Sequence, residues 1–309
     1  MATLVENQPE VRTAPAGQPT HPLPAADLDH VLQQTEGLWE ELRRGRLFLT
    51  GGTGFFGLWL LETFTAANDR LNLEARVTVL TRSPQTLAEK APHLAGRPDI
   101  ELLEGDIRSF HFPEGEFTHI IHAAAPTATP VEPLEMYDAL VGGTRRVLEF
   151  AATHGVRKLL FTSSGAVYGR QPETITHVSE TFSGAPDPTD PASTYGEGKR
   201  AAELACVLAA RAHGFQAKIA RCFAFLGPRL PLDSHFAAGN FIADALAGRA
   251  IQVSDGRPYR SYLYAADLAV WLWTILFKGE SGRPYNVGSN EDQSIATLAA
   301  AVNAAAGGE

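Results

Sequence analysis

Residues 51–57, Gly-Gly-Thr-Gly-Phe-Phe-Gly, constrain the fold more than any other part of the chain. They follow Arg46-Leu47-Phe48-Leu49-Thr50, a short apolar run of the length of a buried strand. They precede Leu58 to Phe64, where apolar residues recur at helical spacing. A glycine-rich turn between a strand and a helix is a phosphate cradle. Glycine lets the backbone turn tightly and approach a pyrophosphate, while the helix N-terminus offers free N–H groups and partial positive charge. The spacing of Gly51, Gly54 and Gly57 is G-x-x-G-x-x-G. A glycine triplet alone also suits an ordinary βα turn, so the flanking strand and helix are the required context.

From Arg46 onward the pattern alternates strand and helix. Val77–Leu80, Ile100–Leu103, Thr118–His122, Lys158–Thr162 and Lys218–Arg221 read as further strands. Val141–His154 and Tyr195–Ala212 read as helices that end at Gly155 and near Gly214. Repeated βα units imply an α/β fold: a Rossmann-type, doubly wound parallel sheet with helices on both faces. Ligand is expected beyond the C-terminal strand ends, where Gly51, Ser164 and Tyr195 would converge. Residues 1–25 are rich in Pro, Ala, Thr and Gln without apolar periodicity and are expected to be disordered. Within residues 26–45, Asp27–Arg44 reads as one amphipathic helix through Leu28, Val31, Leu32, Leu38 and Leu42.

Composition excludes several classes. With 309 residues, 44% hydrophobic and 20% charged, the chain has an ordinary globular make-up. A formal net charge of −9 argues against an extended nucleic-acid surface. Cys206 and Cys222 lack metal-binding spacing and require no disulfide, which fits a reducing compartment. His119, His122, His154, His177, His213 and His235 are scattered, so no metal site is expected. Met1–Glu6 lacks the regions of a signal peptide, and Leu268–Phe277 is too short to span a bilayer. A cytoplasmic protein without membrane or nucleic-acid partners is expected. Trp271 and Trp273 read as core.

Tyr195 and Lys199 stand four residues apart, on one face of a helix. A nearby ammonium would lower the phenol's pKa from about 10, letting Tyr195 pass a proton while hydride moves. Lys199 could also hold a nicotinamide ribose. A Tyr and a Lys at this spacing are usually only an exposed helix face. The hydroxyls of Thr162-Ser163-Ser164, at the end of a strand, supply a second piece that could bind the same substrate oxygen. Glycine turn, Ser-Ser and Tyr-x-x-x-Lys occur in an order that joins them into one hydride-transfer site.

On these motifs the chain resembles the extended short-chain dehydrogenase/reductase family, in its NAD-dependent epimerase/dehydratase group, over about residues 46–300. The best-known members act on nucleoside-diphosphate sugars. The resemblance implies a dinucleotide domain mainly over 46–225 and a smaller substrate-binding lobe mainly over 226–309, interleaved with it. It implies Ser164, Tyr195 and Lys199 as catalytic residues. It assigns cofactor binding to Gly51, Thr53, Gly54, Phe55, Phe56 and Gly57 and to Thr81, Arg82 and Ser83. Asp106 and Ile107 (a G-D-hydrophobic element), Ala123-Ala124-Ala125, Thr162, Tyr195 and Lys199 complete that set. Arg260, in an R-x-Y-like stretch, and Asn240 are the implied diphosphate contacts, with Ser164 on the sugar. Tyr285-Asn286-Val287-Gly288 matches a further family element. The helix containing Met136–Arg146 implies a homodimer.

The departures narrow the chemistry. Family 4,6-dehydratases carry Asp-Glu after the catalytic Thr, and UDP-glucuronate decarboxylases a Glu one residue later. This chain has Gly165 and Ala166 there. Hydride transfer at C4, by a 4-epimerase or 4-ketoreductase, is therefore expected. NAD-preferring members end the second strand with an acidic residue that holds the ribose. Arg82 instead could pair with a 2′-phosphate, which tilts the expectation from NAD to NADP. Leu140 and Ala224 replace two family asparagines, the second a frequent substrate contact. They keep open a reductase of a non-nucleotide ketone or alcohol. A dinucleotide-binding protein without turnover is the third reading.

Overall fold

The computed structural model describes residues 20–126, 131–232 and 236–307. Its strands in chain order are β1 (Arg46–Thr50), β2 (Arg76–Thr81), β3 (Ile100–Glu104), β4 (His119–His122), β5 (Lys158–Ser164), β6 (Gln216–Cys222), β7 (Ala224–Leu226), β8 (Tyr259–Tyr264), β9 (Pro284–Val287) and β10 (Asp292–Ser294). Seven form a parallel sheet in the order β3-β2-β1-β4-β5-β6-β9. The chain runs outward from β1 to β3, then returns to place β4 on the other side of β1. That reversal opens a crevice at the C-terminal strand ends, the ligand position of doubly wound sheets. β1, β2, β4 and β5 are almost wholly buried, so they read as continuous apolar runs and not as alternating ones.

Helices α2 (Phe55–Leu71) and α8 (Ala265–Lys278) cover one face, with α1 (Ala25–Gln34) beside them. Trp59, Phe64, Leu272 and Trp273 fill that layer. Helices α5 (Gly143–Thr153) and α6 (Thr194–His213) cover the other, where Phe150 of α5 packs with Phe48, Phe117 and Phe161. Short helices α3 (Gln85–Lys90) and α4 (Pro133–Tyr137) lie in the connections. A smaller core of Leu230, Phe241 and Leu298 holds α7 (Ala237–Leu246) to α9 (Ile295–Ala305), next to the small sheet β10-β8-β7. Because β9 and α8 belong to the main layers, the chain after residue 226 crosses back and forth between lobe and sheet.

Several expectations need correction. The helix expected from Asp27 to Arg44 is two pieces. α1 stops where the Thr35 hydroxyl donates to the Val31 carbonyl (2.6 Å) and accepts from the Trp39 indole (2.8 Å). Gly37 then adopts φ +74°, and a tight turn follows over Trp39–Leu42. The stretch expected to be disordered includes ordered residues from 20 onward: Leu23 is buried and its N–H donates to the Glu62 carboxylate. Residues 1–19 lie outside the described residues. The helix expected from Val141 begins as a π-helical turn over Asp138–Gly142 before α5. Trp273 is core, but Trp271 is 41% exposed and faces the cleft, because the apolar run of α8 extends beyond the width of its buried stripe.

Candidate active site

The glycine turn is built by close approach. Gly51 has φ +73°, and a Cβ there would lie 2.7 Å from the Ala123 carbonyl in the turn after β4. A Cβ on Gly57 would lie 2.2 Å from the Gly51 oxygen and 2.3 Å from the Gly52 Cα, so α2 can start against the loop only with glycine. Gly54 caps α2 without any side-chain bond, leaving the first-turn amides for an anion. Gly51, Thr53, Gly54, Phe55 and Phe56 line the cleft, whereas Gly57 lies behind it as a packing residue. These residues fit the pyrophosphate of a dinucleotide.

A hydrogen-bonded chain holds the neighbouring turn, Ala123-Ala124-Ala125, which also lines the cleft. The Ala124 N–H donates to the Thr50 hydroxyl (3.1 Å), which meets His122 Nδ1 (2.7 Å). His122 Nε2 reaches the Thr144 hydroxyl (3.0 Å), whose own proton goes to the Leu140 carbonyl (2.6 Å). With that proton committed, Nε2 must donate and Nδ1 must accept. The ring stays neutral, since burial pushes its pKa down to about 3, with the Lys199 charge acting in the same direction.

At the far end of the cleft, Thr81 ends β2, Arg82 and Ser83 follow it, and Asp106 and Ile107 follow β3. Arg108 grips Asp106 through two bonds (2.8 and 2.9 Å) and, aided by Arg82, holds its carboxyl below the usual range. Lys90, at the end of α3, donates to the Thr53 carbonyl (3.2 Å). Arg82 thus lies on this rim beside the Arg108–Asp106 pair, while Lys90 adds a cation next to the glycine turn. Sequence reasoning singles out only Arg82. A second basic residue eight positions on is the available signal for Lys90.

Ser164 ends β5, and Tyr195 and Lys199 lie in the first turns of α6. Gly196 and Gly198 let α6 approach: Cβ atoms there would lie 2.7 Å from the Ala166 oxygen and 2.8 Å from Leu140 Cδ1. Lys199 is buried, donates to the Thr162 carbonyl (2.6 Å), and sits 5.9 Å from the Tyr195 ring centre. Burial lowers its pKa to about 8. The expected depression of the Tyr195 pKa is not found. Burial pushes that phenol up to about 12, against the opposing effect of its hydrogen bond with Ser164. The ammonium is aimed at a backbone oxygen and not at the phenol, so desolvation prevails.

On the substrate side Arg260 is exposed on β8, faces the cleft and donates to the Tyr259 carbonyl (2.8 Å). Asn240, on α7, does not line the cleft, because the turns carrying Ala237 and Ala238 occupy that wall. Phe223, unremarked in the sequence, is 39% exposed and lines it. Below the site a polar network joins strands and loop. Ser163 donates to Glu203 (2.5 Å), Glu203 pairs with Arg221 (2.7 Å), and Arg221 donates to the Tyr168 hydroxyl (2.9 Å). Among the described residues no cluster of three metal-ligating side chains occurs, and no helix is long and apolar enough to cross a membrane.

The glycine turn, the Ala123–Ala125 turn, the ends of β2 and β3, Ser164, Tyr195, Lys199 and Arg260 face one continuous cleft of about 3080 Å³. Drug-sized ligand sites measure roughly 300–1,000 Å³, so this cleft has room for two large ligands end to end. Residues 47–288 match the model of the NAD dependent epimerase/dehydratase family. UDP-glucuronic acid decarboxylase 6 of Arabidopsis thaliana is 31% identical over 260 residues, 83% of this chain and 73% of that protein. UDP-glucuronic acid decarboxylase 1 of Xenopus tropicalis is 30% identical over 84% of this chain, which spans 60% of that longer protein. Among solved structures, the NAD complex of Thermus thermophilus UDP-glucose 4-epimerase superposes with a TM-score of 0.68 at 27% identity, covering 85% of this chain and 84% of that one. The epimerase Mth375 of Methanothermobacter thermautotrophicus shares the fold with a TM-score of 0.74 at 20% identity, over 89% of this chain and 81% of its own.

Proposed function

The chain belongs to the NAD dependent epimerase/dehydratase family, and on that premise we propose that it catalyses hydride transfer at C4 of a nucleoside-diphosphate sugar, as a 4-ketoreductase or a 4-epimerase. One observation carries the reading. Ser164, Tyr195 and Lys199 face the same cleft as the glycine turn, while the two positions after Ser164, Gly165 and Ala166, bear no carboxyl group. Elimination of water and loss of a carboxylate both lack their usual acid or base there. The decarboxylase names of the relatives therefore support the substrate class, a nucleotide sugar, more than they support that reaction.

Bound along the glycine turn, a nicotinamide dinucleotide would give or take the hydride. Tyr195 would pass the proton to or from the sugar oxygen, and Ser164 would donate a hydrogen bond to the same oxygen. Lys199, 5.9 Å from the Tyr195 ring centre with its ammonium on the Thr162 carbonyl, would offset only part of a phenolate charge and would hold the nicotinamide ribose. Arg260 would meet the diphosphate. Arg82, at the end of β2 where it faces the cleft, favours a cofactor bearing a 2′-phosphate, hence NADP(H) over NAD(H). Exposed Leu134 and Tyr137 on α4 and Leu204 and Leu208 on α6 support a homodimer through that face. A second reading, reduction of a non-nucleotide ketone, is favoured by Ala224 and by the position of Asn240 off the cleft.

Denaturing the purified protein and identifying released nucleotides by mass spectrometry tests the cofactor. Retained NAD⁺ supports an epimerase that recycles it. An empty site that binds NADPH more tightly than NADH supports a reductase. Binding of neither dinucleotide sinks the proposal. A panel of nucleoside-diphosphate sugars, with products resolved at C4 by NMR, then separates the two substrate readings.

A further inference from the structure

Lys199 is a buried ammonium that pairs with no carboxylate among the described residues. Lys199 and Phe161 are each 1% exposed. The ammonium donates to one neutral group, the Thr162 carbonyl (2.6 Å). Glu203, one turn further along α6, is committed elsewhere: it accepts from Ser163 (2.5 Å) and pairs with Arg221 (2.7 Å), which offsets its charge. The other titratable neighbours are the Tyr195 phenol and Cys206 thiol on α6, the Cys222 thiol on β6 and the His122 ring on β4. Burial pushes the phenol and both thiols up to about 12 and holds His122 neutral. None of these four groups carries a negative charge at neutral pH. A cation taken out of water on such terms is costly unless something else attracts it.

The Phe161 ring does so. Lys199 Nζ lies 4.7 Å from its centre, inside the reach of about 6 Å over which an aromatic face attracts a cation. The Tyr195 ring centre, at 5.9 Å, is at the limit of that reach. Phe161 is also well fixed. It stands opposite His122 in the pairing of β4 with β5, the two rings are 5.4 Å apart, and it belongs to the aromatic core beneath α5 and α6.

We propose that Phe161 is a positioning residue of the reaction, the face of its ring holding the Lys199 ammonium charged and in place where a carboxylate is lacking. This rests on the catalytic role read for Lys199 and adds the residue that acts through it.

The test places 4-fluoro-, 3,5-difluoro- and 3,4,5-trifluorophenylalanine at position 161. These nearly keep the ring's shape while draining its negative face step by step. Lysine labelled with ¹³C at Cε reports each ammonium's titration by NMR. The chain's lysines are Lys90, Lys158, Lys199, Lys218 and Lys278, and the signal missing from Lys199→Arg assigns the one in question. The Lys199 midpoint, at about 8 in the wild-type protein, should fall stepwise. In the trifluoro form the fall should reach about 1 to 1.5 pH units, as for a desolvated cation–π contact. The alkaline limb of kcat/KM on a nucleoside-diphosphate sugar should move down by the same interval. Well below that limb the rate should stay within about twofold of wild type. A ring that only fills space would leave the NMR midpoint within about 0.3 pH unit across the series, which overturns the proposal and leaves the catalytic reading of Lys199 intact. A stepwise NMR shift with an unmoved rate limb overturns the positioning role and that catalytic reading together. Turnover of no nucleotide sugar overturns the C4 reading, and the NMR arm still decides whether the ring holds the ammonium.

Discussion

Replacing Glu62 with glutamine should destabilise the protein by about 3–5 kcal/mol, the usual consequence of leaving one member of a buried ion pair unpartnered. Glu62 and Arg229 are 3% and 4% exposed, and their atoms meet at 2.5 Å. Arg229 also donates to the Lys90 carbonyl (2.7 Å) and the His21 carbonyl (2.7 Å), while Glu62 accepts the Leu23 N–H (2.7 Å). This clasp joins α2, the end of α3, the segment of His21 and Leu23 and the loop that enters the lobe. Glutamine keeps the shape and much of the hydrogen bonding but removes the charge that neutralises the guanidinium. Unfolding entropy near 2.1 cal/mol/K per residue gives roughly 0.6 kcal/mol/K for 309 residues. A loss of about 3–5 kcal/mol then lowers Tm by about 5–8 °C. Scanning calorimetry on the single variants and on Glu62→Gln with Arg229→Met measures it. The double variant should recover part of the loss, since both charges are gone, with a coupling of at least about 1 kcal/mol. A fall in Tm below about 2 °C, or a double variant as poor as the sum of the singles, would refute a buried, mutually dependent pair.

Three further outcomes are expected. Tyr195→Phe should cut kcat about 10²- to 10⁴-fold, the range for a lost proton-transfer group, while dinucleotide binding measured by fluorescence stays unchanged. Arg82→Ala should weaken NADPH binding about 10- to 100-fold, as for one charge-assisted bond, and leave NADH affinity within a factor of about two; equal loss for both would remove the 2′-phosphate assignment. Burial holds His119 and His122 neutral down to pKa values of about 4 and about 3. The unfolded chain takes up these protons below pH 6.5, so stability should fall between pH 6.5 and 4 by up to about 1.4 kcal/mol per pH unit for each ring. Urea unfolding at stepped pH checks this, and a flat profile there contradicts it.

The sheet is legible in the sequence because its strands are buried on both faces and so stand out as apolar runs such as Leu159-Leu160-Phe161. The glycine turn is legible because part of its steric requirement is local: Gly57 must be glycine to start α2 against Gly51 and Gly52. What escapes depends on distance along the chain. Glu62 and Arg229 are 167 positions apart, and the meeting of Phe223 with Gly165 follows from the pairing of β5 with β6. The ionisation of Tyr195 is misjudged from sequence for the same reason: spacing places Lys199 one turn away, but packing decides where its ammonium points and how dry the phenol is. The break at Gly37 is hidden because apolar periodicity continues across it through Leu38 and Leu42.

The contact of Phe223 with Gly165 also bears on how such a chain can change over evolutionary time. A first carboxylate at position 165, as in the family's dehydratases, must displace an aromatic ring already lying 2.7 Å from its Cβ. The single substitution would be sterically penalised before it could offer new chemistry. The ring can make room by turning about its own side-chain bonds or by replacement with a smaller residue, and either change alters the wall beside Ser164. A carboxylate at position 165 is therefore coupled to residue 223, 58 positions on, and the two would be expected to change together.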